Sequence, residues 1–244
     1  MVFEGKIMRH GILVSLIFLA FLLTQSIFAQ NEDWPVAMDK APFHVPVFSN
    51  DYITLIRINY PPGRTTGMHT HYFDSVSVNF SPALRTSQQY RSAEIVGPSA
   101  TQPVPGRVNF NNVTERGIYA HESVNVGPTP FHSIAVMLKD RSEIGPDVSD
   151  RSSEEGYDQI IDNNRIRAWR VILAPGEGLS EITQTAPGLR VYVRGGVVDE
   201  LVPGSAARGM APFGGEFMWQ EAGHTRAVSN TGSTMVEFVE FEFK

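Results

Sequence analysis

Two histidines separated by one residue, His69 and His71, are the first candidates for chemistry in this sequence. On a β-strand, residues two apart project from the same face, so both imidazoles would point to the same side. Neutral imidazole is the commonest protein ligand for transition metals. The spacing therefore predicts that one metal ion contacts both rings.

A third ligand has to come from another strand. Three consecutive same-face positions on one strand extend over about 13 Å, whereas a metal ion binds imidazole nitrogen at about 2 Å. His121, which precedes Asn125 by four residues, is the natural candidate. The alternative is that these three histidines are ordinary polar residues of the fold without a metal.

Further side chains are candidates for the lining of a cavity around the metal. They are Tyr72, Asp74 and His132, which follow the proposed ligands along the chain. The other histidines after residue 29, His44 and His224, are expected to be polar residues of the core or the surface. None of these five residues is needed to complete the predicted ligand set.

The elements that position these residues are predicted to be strands. Short alternating or continuous apolar runs recur between turns rich in Gly, Pro and Asn, a pattern typical of an all-β sandwich or barrel. The last run, residues 236–243, alternates between glutamate and apolar residues apart from Val239. Alternation of this kind predicts a half-buried strand.

The sequence also repeats itself. Residues 50–58, followed by Pro62-Gly63, align with residues 163–171, followed by Pro175-Gly176, at an offset of 113. Residues 125–129 align with residues 230–234 at an offset of 105. Two aligned segments in the same order indicate a duplicated domain. The first copy is eight residues longer between these two segments, and we expect the extra residues in the loop Gly97 to Gly106.

These residues resemble a known family. Pro62-Gly63, followed after five residues by His69-Thr70-His71, is similar to the first cupin motif, and His121 with Asn125 is similar to the second. The resemblance covers nearly all of the chain after residue 29. It implies two tandem cupin-like barrels, of the double-stranded β-helix or jelly-roll type.

The resemblance, together with the composition of the N-terminal segment and of the acidic segment between the two copies, divides the chain into four parts. They are a signal peptide (1–29), a metal-binding cupin domain (30–139), a linker (140–158) and a degenerate cupin domain (159–244). In the second copy, Ile182 and Gln184 align with the first two histidines and Arg226 aligns with the third. Neither isoleucine nor arginine ligates a metal, and we expect this copy to hold none.

The departure from the family pattern concerns a glutamate that usually completes the cupin site. Ser75 and Val76 stand where that glutamate is expected, and Glu122, beside His121, alternates to the opposite face of its strand. The resemblance is therefore closest to cupins with three histidine ligands, among which are oxygenases of thiols and diketones.

This ligand set implies a metal-dependent bicupin. Three neutral imidazoles leave the full charge on one divalent ion and leave positions open for other ligands. With Fe(II), which we favour, substrate and dioxygen bind side by side, as in a dioxygenase acting on a small chelating or enolisable substrate. With zinc, manganese or nickel, the site suits a hydrolase, isomerase or lyase. A third alternative is a non-catalytic protein that binds a metal or small ligand.

Composition excludes several other classes. The chain has 244 residues, a net charge of −6 and no cysteine, which excludes a disulfide-stapled mini-protein, a thiolate zinc finger and an iron–sulfur carrier. The negative charge argues against nucleic acid as a partner, so we expect a small-molecule substrate. Cupins often dimerise through edge strands, which implies a homodimer.

The first 29 residues have the features of a secretory signal peptide. Lys6 and Arg9 precede a 13-residue apolar run from Gly11 to Leu23, and the small residue Ala29 precedes Gln30. The run is short for a membrane span, so no stable membrane insertion is expected after its removal. We expect a secreted or periplasmic protein, with an uncleaved anchor as the alternative.

Overall fold

The computed structural model describes residues 34–98, 104–139 and 148–244. Strands dominate these residues, which confirms the prediction of an all-β fold. Within these ranges, no helix has the length and hydropathy needed to traverse a lipid bilayer. The predicted signal peptide (1–29) and residues 140–147 of the predicted linker lie outside the described residues.

The first half of the chain contributes nine strands to two antiparallel sheets. The five-stranded sheet has the order β1 (His44–Ser49), β2 (Ile53–Tyr60), β9 (Phe131–Leu138), β4 (Ser75–Asn79) and β7 (Val108–Asn111). The four-stranded sheet has the order β3 (His69–His71), β8 (Tyr119–Asn125), β5 (Arg85–Gln89) and β6 (Ile95–Val96). A short helix, α1 (Val113–Arg116), lies between β7 and β8.

The second half repeats this arrangement strand by strand. Its five-stranded sheet has the order β10 (Asp158–Asp162), β11 (Ile166–Leu173), β18 (Val236–Phe243), β13 (Gly188–Arg194) and β16 (Phe217–Gln220). Its four-stranded sheet has the order β12 (Ile182–Thr183), β17 (Thr225–Asn230), β14 (Val198–Leu201) and β15 (Arg208–Met210). The duplication, inferred from two short aligned segments, thus extends over all the strands of both halves.

The strand register reproduces the sequence alignment of the two copies. His69 lies opposite His121 in the pairing of β3 with β8, and Ile182 lies opposite Arg226 in the pairing of β12 with β17. These are the residue pairs that the offsets of 113 and 105 equate. Ile182 and Arg226 therefore occupy, in the second copy, the strand positions that the predicted ligands His69 and His121 occupy in the first.

The extra residues of the first copy differ in place from the prediction. Val76 pairs with Phe110, and the equivalent Leu189 pairs with Trp219, so β7 and β16 are related by an offset of 109. Four of the eight extra residues therefore precede β7, and the other four follow it, where α1 lies. The pairings of β5 with β6 and of β14 with β15 relate Val96 to Arg208 at an offset of 112, so three of the first four lie between β6 and β7, where the loop Gly97 to Gly106 is.

The motif glycines and asparagines form equivalent turns in the two copies. Gly63 and Gly176 have φ of +73° and +83°, which glycine adopts without the steric cost of a Cβ atom. Their N–H groups donate to the carbonyls of Asn125 (2.8 Å) and Asn230 (2.9 Å). The side-chain amide of Asn125 donates to the carbonyl of Thr129 at 2.8 Å. Much of the sequence repeat thus consists of residues that form equivalent turns in the two copies.

The main hydrophobic core lies between the two five-stranded sheets. Fourteen buried side chains form one cluster, and they come from β2, β4 and β9 of the first half and from β11, β13 and β18 of the second. Phe48 of β1 also contacts Phe217 and Trp219 of β16, with ring centroids 5.9 and 5.8 Å apart. Each five-stranded sheet therefore has one face against the other half and one face toward its own barrel.

This packing changes the environment of the C-terminal strand. All eight residues of β18 are buried, whereas alternation predicted a half-buried strand. Val239, Phe241 and Phe243 belong to the core between the halves. Glu240 and Glu242 are fully buried and meet arginines instead of water.

Candidate metal centre

Adjacent strands bring the three predicted ligands together. His69 and His71 project from β3, and His121 projects from β8 directly opposite His69. Their ligand nitrogens all lie within 4.8 Å of one another, and Nε2 of His71 is 3.1 Å from Nε2 of His121. Two nitrogens bound to one ion at about 2.0–2.1 Å are at most about 4.2 Å apart. A small inward rotation of the rings is enough to bind one cation.

Hydrogen bonds orient two of the rings. Nδ1 of His69 donates to the carbonyl of Gly67 at 2.9 Å, which leaves Nε2 with the lone pair that a metal needs. Nδ1 of His121 lies 3.1 Å from the Ser87 hydroxyl, which serves the same purpose. Among the described residues, Nδ1 of His71 is buried without a hydrogen-bond partner. Instead the His71 ring stacks on Tyr119, with centroids 4.6 Å apart and planes 3° apart.

The three imidazoles are held in the neutral form that binds metals. Burial lowers the pKa of His71 to about 2, with further lowering from His121 and His69. Burial also lowers the pKa of His121 to about 3, with His69 and then Arg85 adding to the effect. The pKa of His69 is lowered by burial as well. Near pH 7 no proton has to be displaced before a cation binds.

No carboxylate joins the group among the residues that the structure describes. Ser75 occupies the place of the usual glutamate and lines the cavity beside the histidines. Glu122 lies on the opposite face of β8, where it accepts a hydrogen bond from the Thr65 hydroxyl at 3.1 Å. The donor set is three neutral nitrogens, which suits iron, zinc, copper and nickel.

Comparison with known proteins gives matches only at the level of structure. No protein-family model and no curated protein sequence matches this chain. AerE from Microcystis aeruginosa has a TM-score of 0.57 at 8% identity, over 84% of this chain and 98% of that chain. Salicylate 1,2-dioxygenase from Pseudoaminobacter salicylatoxidans, with gentisate adducts, has a TM-score of 0.56 at 9% identity, over 93% and 78%. The protein YhaK from Escherichia coli has a TM-score of 0.52 at 11% identity, over 81% and 90%.

Both the architecture and the histidine group now support one assignment. The chain has the cupin fold, in two copies. The first cupin barrel carries the three-histidine group, which indicates a site for a divalent metal ion.

The three further residues proposed for the cavity lie elsewhere. Tyr72 is 40% exposed. Asp74 is buried, but its carboxylate accepts hydrogen bonds from the backbone N–H and the hydroxyl of Thr114, each at 2.8 Å, and pairs with Arg165 at 3.0 Å. Its role is to fix α1 and to join the two halves. His132 lines a separate cavity on the side of the second barrel.

The cavity of the first barrel has a volume of about 170 Å³ and contains residues that the sequence did not single out. His44 enters it from β1, with its ring centroid 4.9 Å from that of His69. Burial lowers the pKa of His44 to about 4, even though Nδ1 donates to the carbonyl of Pro42 at 2.9 Å. Arg85 enters from β5, and Ser87 of the same strand contacts His121. No motif marks these residues, because only the pairing of distant strands brings them to the histidines.

The second cupin barrel contains ion pairs in its interior. Arg226, at the position of His121, lies 3.5 Å from Glu200. Arg190 donates to Glu240 at 2.6 Å, and all of these side chains are buried. Burial raises the pKa of Glu240, but the attraction of Arg190 and then of other arginines outweighs it, so the pKa is lowered. Charged side chains therefore fill the space that corresponds to the metal site.

One of these charges comes from the segment predicted as a linker. Arg151, in a helical turn at Asp150–Ser153, is buried and donates to Glu242 at 2.7 Å and to Gln184 at 2.7 Å. It also pairs with Glu240 at 3.0 Å. The end of this segment thus contributes to the interior of the second barrel.

Removal of the Ser87 hydroxyl should weaken the metal site without destroying it. We expect Ser87→Ala to lower metal affinity by roughly 10–100-fold, as loss of an outer-sphere partner of a ligating histidine usually does. Competition with a chromophoric chelator measures this change. Ser49→Ala, on the exposed side of β1, is the control and should retain the wild-type affinity.

Proposed function

We propose that this protein is a metal-dependent dioxygenase that acts on a small chelating molecule in its first cupin barrel. The observation that carries the proposal is the convergence of three neutral imidazoles in a cavity of about 170 Å³, with no carboxylate among the described residues of the group. That volume is below the roughly 300 Å³ at which pockets for drug-sized ligands begin. The substrate is therefore small.

The chemistry divides between the metal and the chain. His69, His71 and His121 would hold Fe(II), which would supply a Lewis acid for a chelating substrate and for dioxygen. The chain fixes the rings of His69 and His121 through their hydrogen bonds. His44, the further histidine of this cavity, is a weak base, because burial lowers its pKa to about 4.

The fold comparison supports this direction. Salicylate 1,2-dioxygenase has the same fold over 93% of this chain, although only 9% of the residues are identical. Fold likeness alone does not assign a reaction. The proposal depends on the histidine group, and the neighbour indicates that a cupin fold of this size accommodates dioxygenase chemistry.

The identity of the metal and the use of oxygen test the proposal directly. The protein is purified without added metal, its elements are quantified, and oxygen uptake is followed with a panel of 2-hydroxy acids, 1,3-diketones and thiols. We expect about one equivalent of iron and oxygen uptake with at least one substrate. Zinc without oxygen uptake, or a tightly retained ligand without turnover, would contradict a dioxygenase.

We also propose that the protein is exported, on the basis of the basic and apolar N-terminal sequence. Expression of the full chain in a bacterial host, followed by N-terminal sequencing of the protein from the periplasm and medium, tests this. The expected mature form begins at Gln30. Recovery of the intact N-terminus in the membrane fraction would contradict cleavage.

A further inference from the structure

The cavity of the first cupin barrel has an excess of positive charge. Among the described residues that line it there is no Asp and no Glu, whereas Arg85 is present. Imidazole binds a metal ion in its neutral form, so three histidine ligands do not compensate the charge of a bound divalent cation. Charges in a small cavity need partners, because burial of an uncompensated charge is costly. The compensating negative charge has to come from the ligand.

Arg85 has no acidic partner within the part of the chain that the structure describes. No described carboxylate forms an ion pair with it, and its Nε atom is buried without a hydrogen-bond partner. Its guanidinium group lies over the ring of Phe131, 4.2 Å from the centroid, and Phe131 also lines the cavity. A guanidinium group provides a planar fork of N–H donors that matches a carboxylate. The stacking holds this fork in place, which reduces the entropy lost when a carboxylate binds.

Arg85 and the histidines lie at different places in one cavity. Ser87 contacts the predicted metal ligand His121 at 3.1 Å, and Arg85 is two residues from Ser87 on the same face of β5. In the pairing of β5 with β8, Arg85 lies opposite Asn125, four residues from His121, so the two backbone positions are about 13 Å apart along the strands. Arg85 lines the cavity of about 170 Å³ that the histidines also line, and a single short molecule can reach both.

We propose that Arg85 binds a terminal carboxylate of the substrate, so that the substrate is a short acid with a chelating group at one end and a second carboxylate at the other. The inference rests on the proposed function, because the chelating end of the substrate would bind the cation held by the three histidines. It adds the substrate class: an aliphatic dicarboxylate that carries a hydroxyl or oxo group beside one carboxylate. The small cavity excludes larger polyanions.

A matched pair of acids tests the role of Arg85. Malate and 2-hydroxybutyrate have the same chelating 2-hydroxy acid end, and they differ only in a terminal carboxylate against a methyl group. Titration calorimetry on the zinc-loaded protein measures both affinities without turnover. We expect malate to bind at least about tenfold more tightly, since a hydrogen bond to a charged group contributes roughly this much.

Three variants complete the experiment. Arg85→Gln should remove the preference for malate and leave the affinity for 2-hydroxybutyrate unchanged. Arg85→Lys, which keeps the charge but not the fork, should retain part of the preference. Arg64→Gln, at an exposed position, should retain all of it. If Arg85→Gln fails to fold, the lysine variant and the wild-type ratio still decide the question.

The outcomes separate this inference from the proposed function. Equal binding of the two acids by the wild-type protein, binding of neither acid, or an unchanged preference in Arg85→Gln would each overturn the role of Arg85. None of these results affects the metal content or the oxygen uptake that test the dioxygenase proposal. Absence of zinc binding would overturn both.

Discussion

Replacement of His121 by alanine should abolish metal retention and leave the fold intact. The imidazole of His121 is one of three ligands, and its Nε2 lies 3.1 Å from that of His71. The remaining two rings leave the cation exposed to exchange. Because a ligand contributes more than its outer-sphere partners, the affinity should fall by more than the roughly 10–100-fold that loss of such a partner costs.

The structural consequence of His121→Ala should be small. The ring points into the cavity and does not belong to the hydrophobic clusters of the described residues. We expect the circular dichroism spectrum to be unchanged and the free energy of unfolding of the metal-free protein to change by no more than about 1 kcal/mol. Elemental analysis after gel filtration measures the metal. Retention of about one equivalent would show that His121 is not a ligand.

Two other histidines provide controls for this experiment. His224 is exposed and lies two residues before Arg226 in the second barrel. His132 lies in a cavity other than that of the metal group. Alanine at either position should leave the metal content as it is in the wild-type protein. A loss of metal in the His224 variant would contradict the assignment of the site to the first barrel.

Replacement of Glu240 by glutamine should destabilise the protein strongly. The side chain of Glu240 is fully buried, 2.6 Å from Nε of Arg190 and 3.0 Å from Nη2 of Arg151. Glutamine keeps the size but removes the charge, so two buried arginines lose a common partner. Breaking a buried ion pair on one side typically costs about 3–5 kcal/mol. For a chain of this length, that corresponds to a fall in melting temperature of roughly 6–20 °C.

A partly exposed ion pair serves as the control for Glu240→Gln. Asp162 pairs with Lys244 at 2.6 Å, but its side chain is 48% exposed. Asp162→Asn should therefore cost no more than about 1 kcal/mol. Urea unfolding of both variants measures the difference. Similar small effects at the two sites would mean that the interior of the second barrel does not depend on its ion pairs.

The same carboxylate predicts a pH dependence. The pKa of Glu240 is lowered from its ordinary value of 4.5 because attraction by the arginines outweighs the effect of burial. A carboxylate whose pKa is lower in the folded state contributes stability above the unfolded-state pKa and loses it as the pH falls through the folded-state pKa. The gap in unfolding free energy between wild type and Glu240→Gln should therefore be largest at neutral pH and narrow below about pH 4.5.

Local patterns made much of the fold predictable. Strand formation, the turns at Pro62-Gly63 and Pro175-Gly176, and the duplication depend on neighbouring residues and on their spacing. The histidine group was predictable for the same reason, because a spacing of two on a strand places His69 and His71 on one face. The third ligand needed only the resemblance of a second motif to that of known barrels.

The burial of the charged face of β18 could not be predicted from the sequence. Alternation indicates which residues share a face, but not what covers that face. Here the apolar face packs against the other barrel, and the face with Glu240 and Glu242 points inward to meet Arg151 and Arg190. Their partners lie about 50 to 91 residues away along the chain. A pattern read over eight residues contains no information about them.

The sequence by itself determined the strands, the two copies, and the three histidines that the first copy presents. Only the tertiary structure decided that Arg85, Ser87 and His44 surround those histidines and that Asp74 does not. The physical reason is the range of the interactions. Turns and faces follow from residues a few positions apart, whereas the contents of a barrel depend on which distant strands pair, and that depends on the free energy of the whole chain.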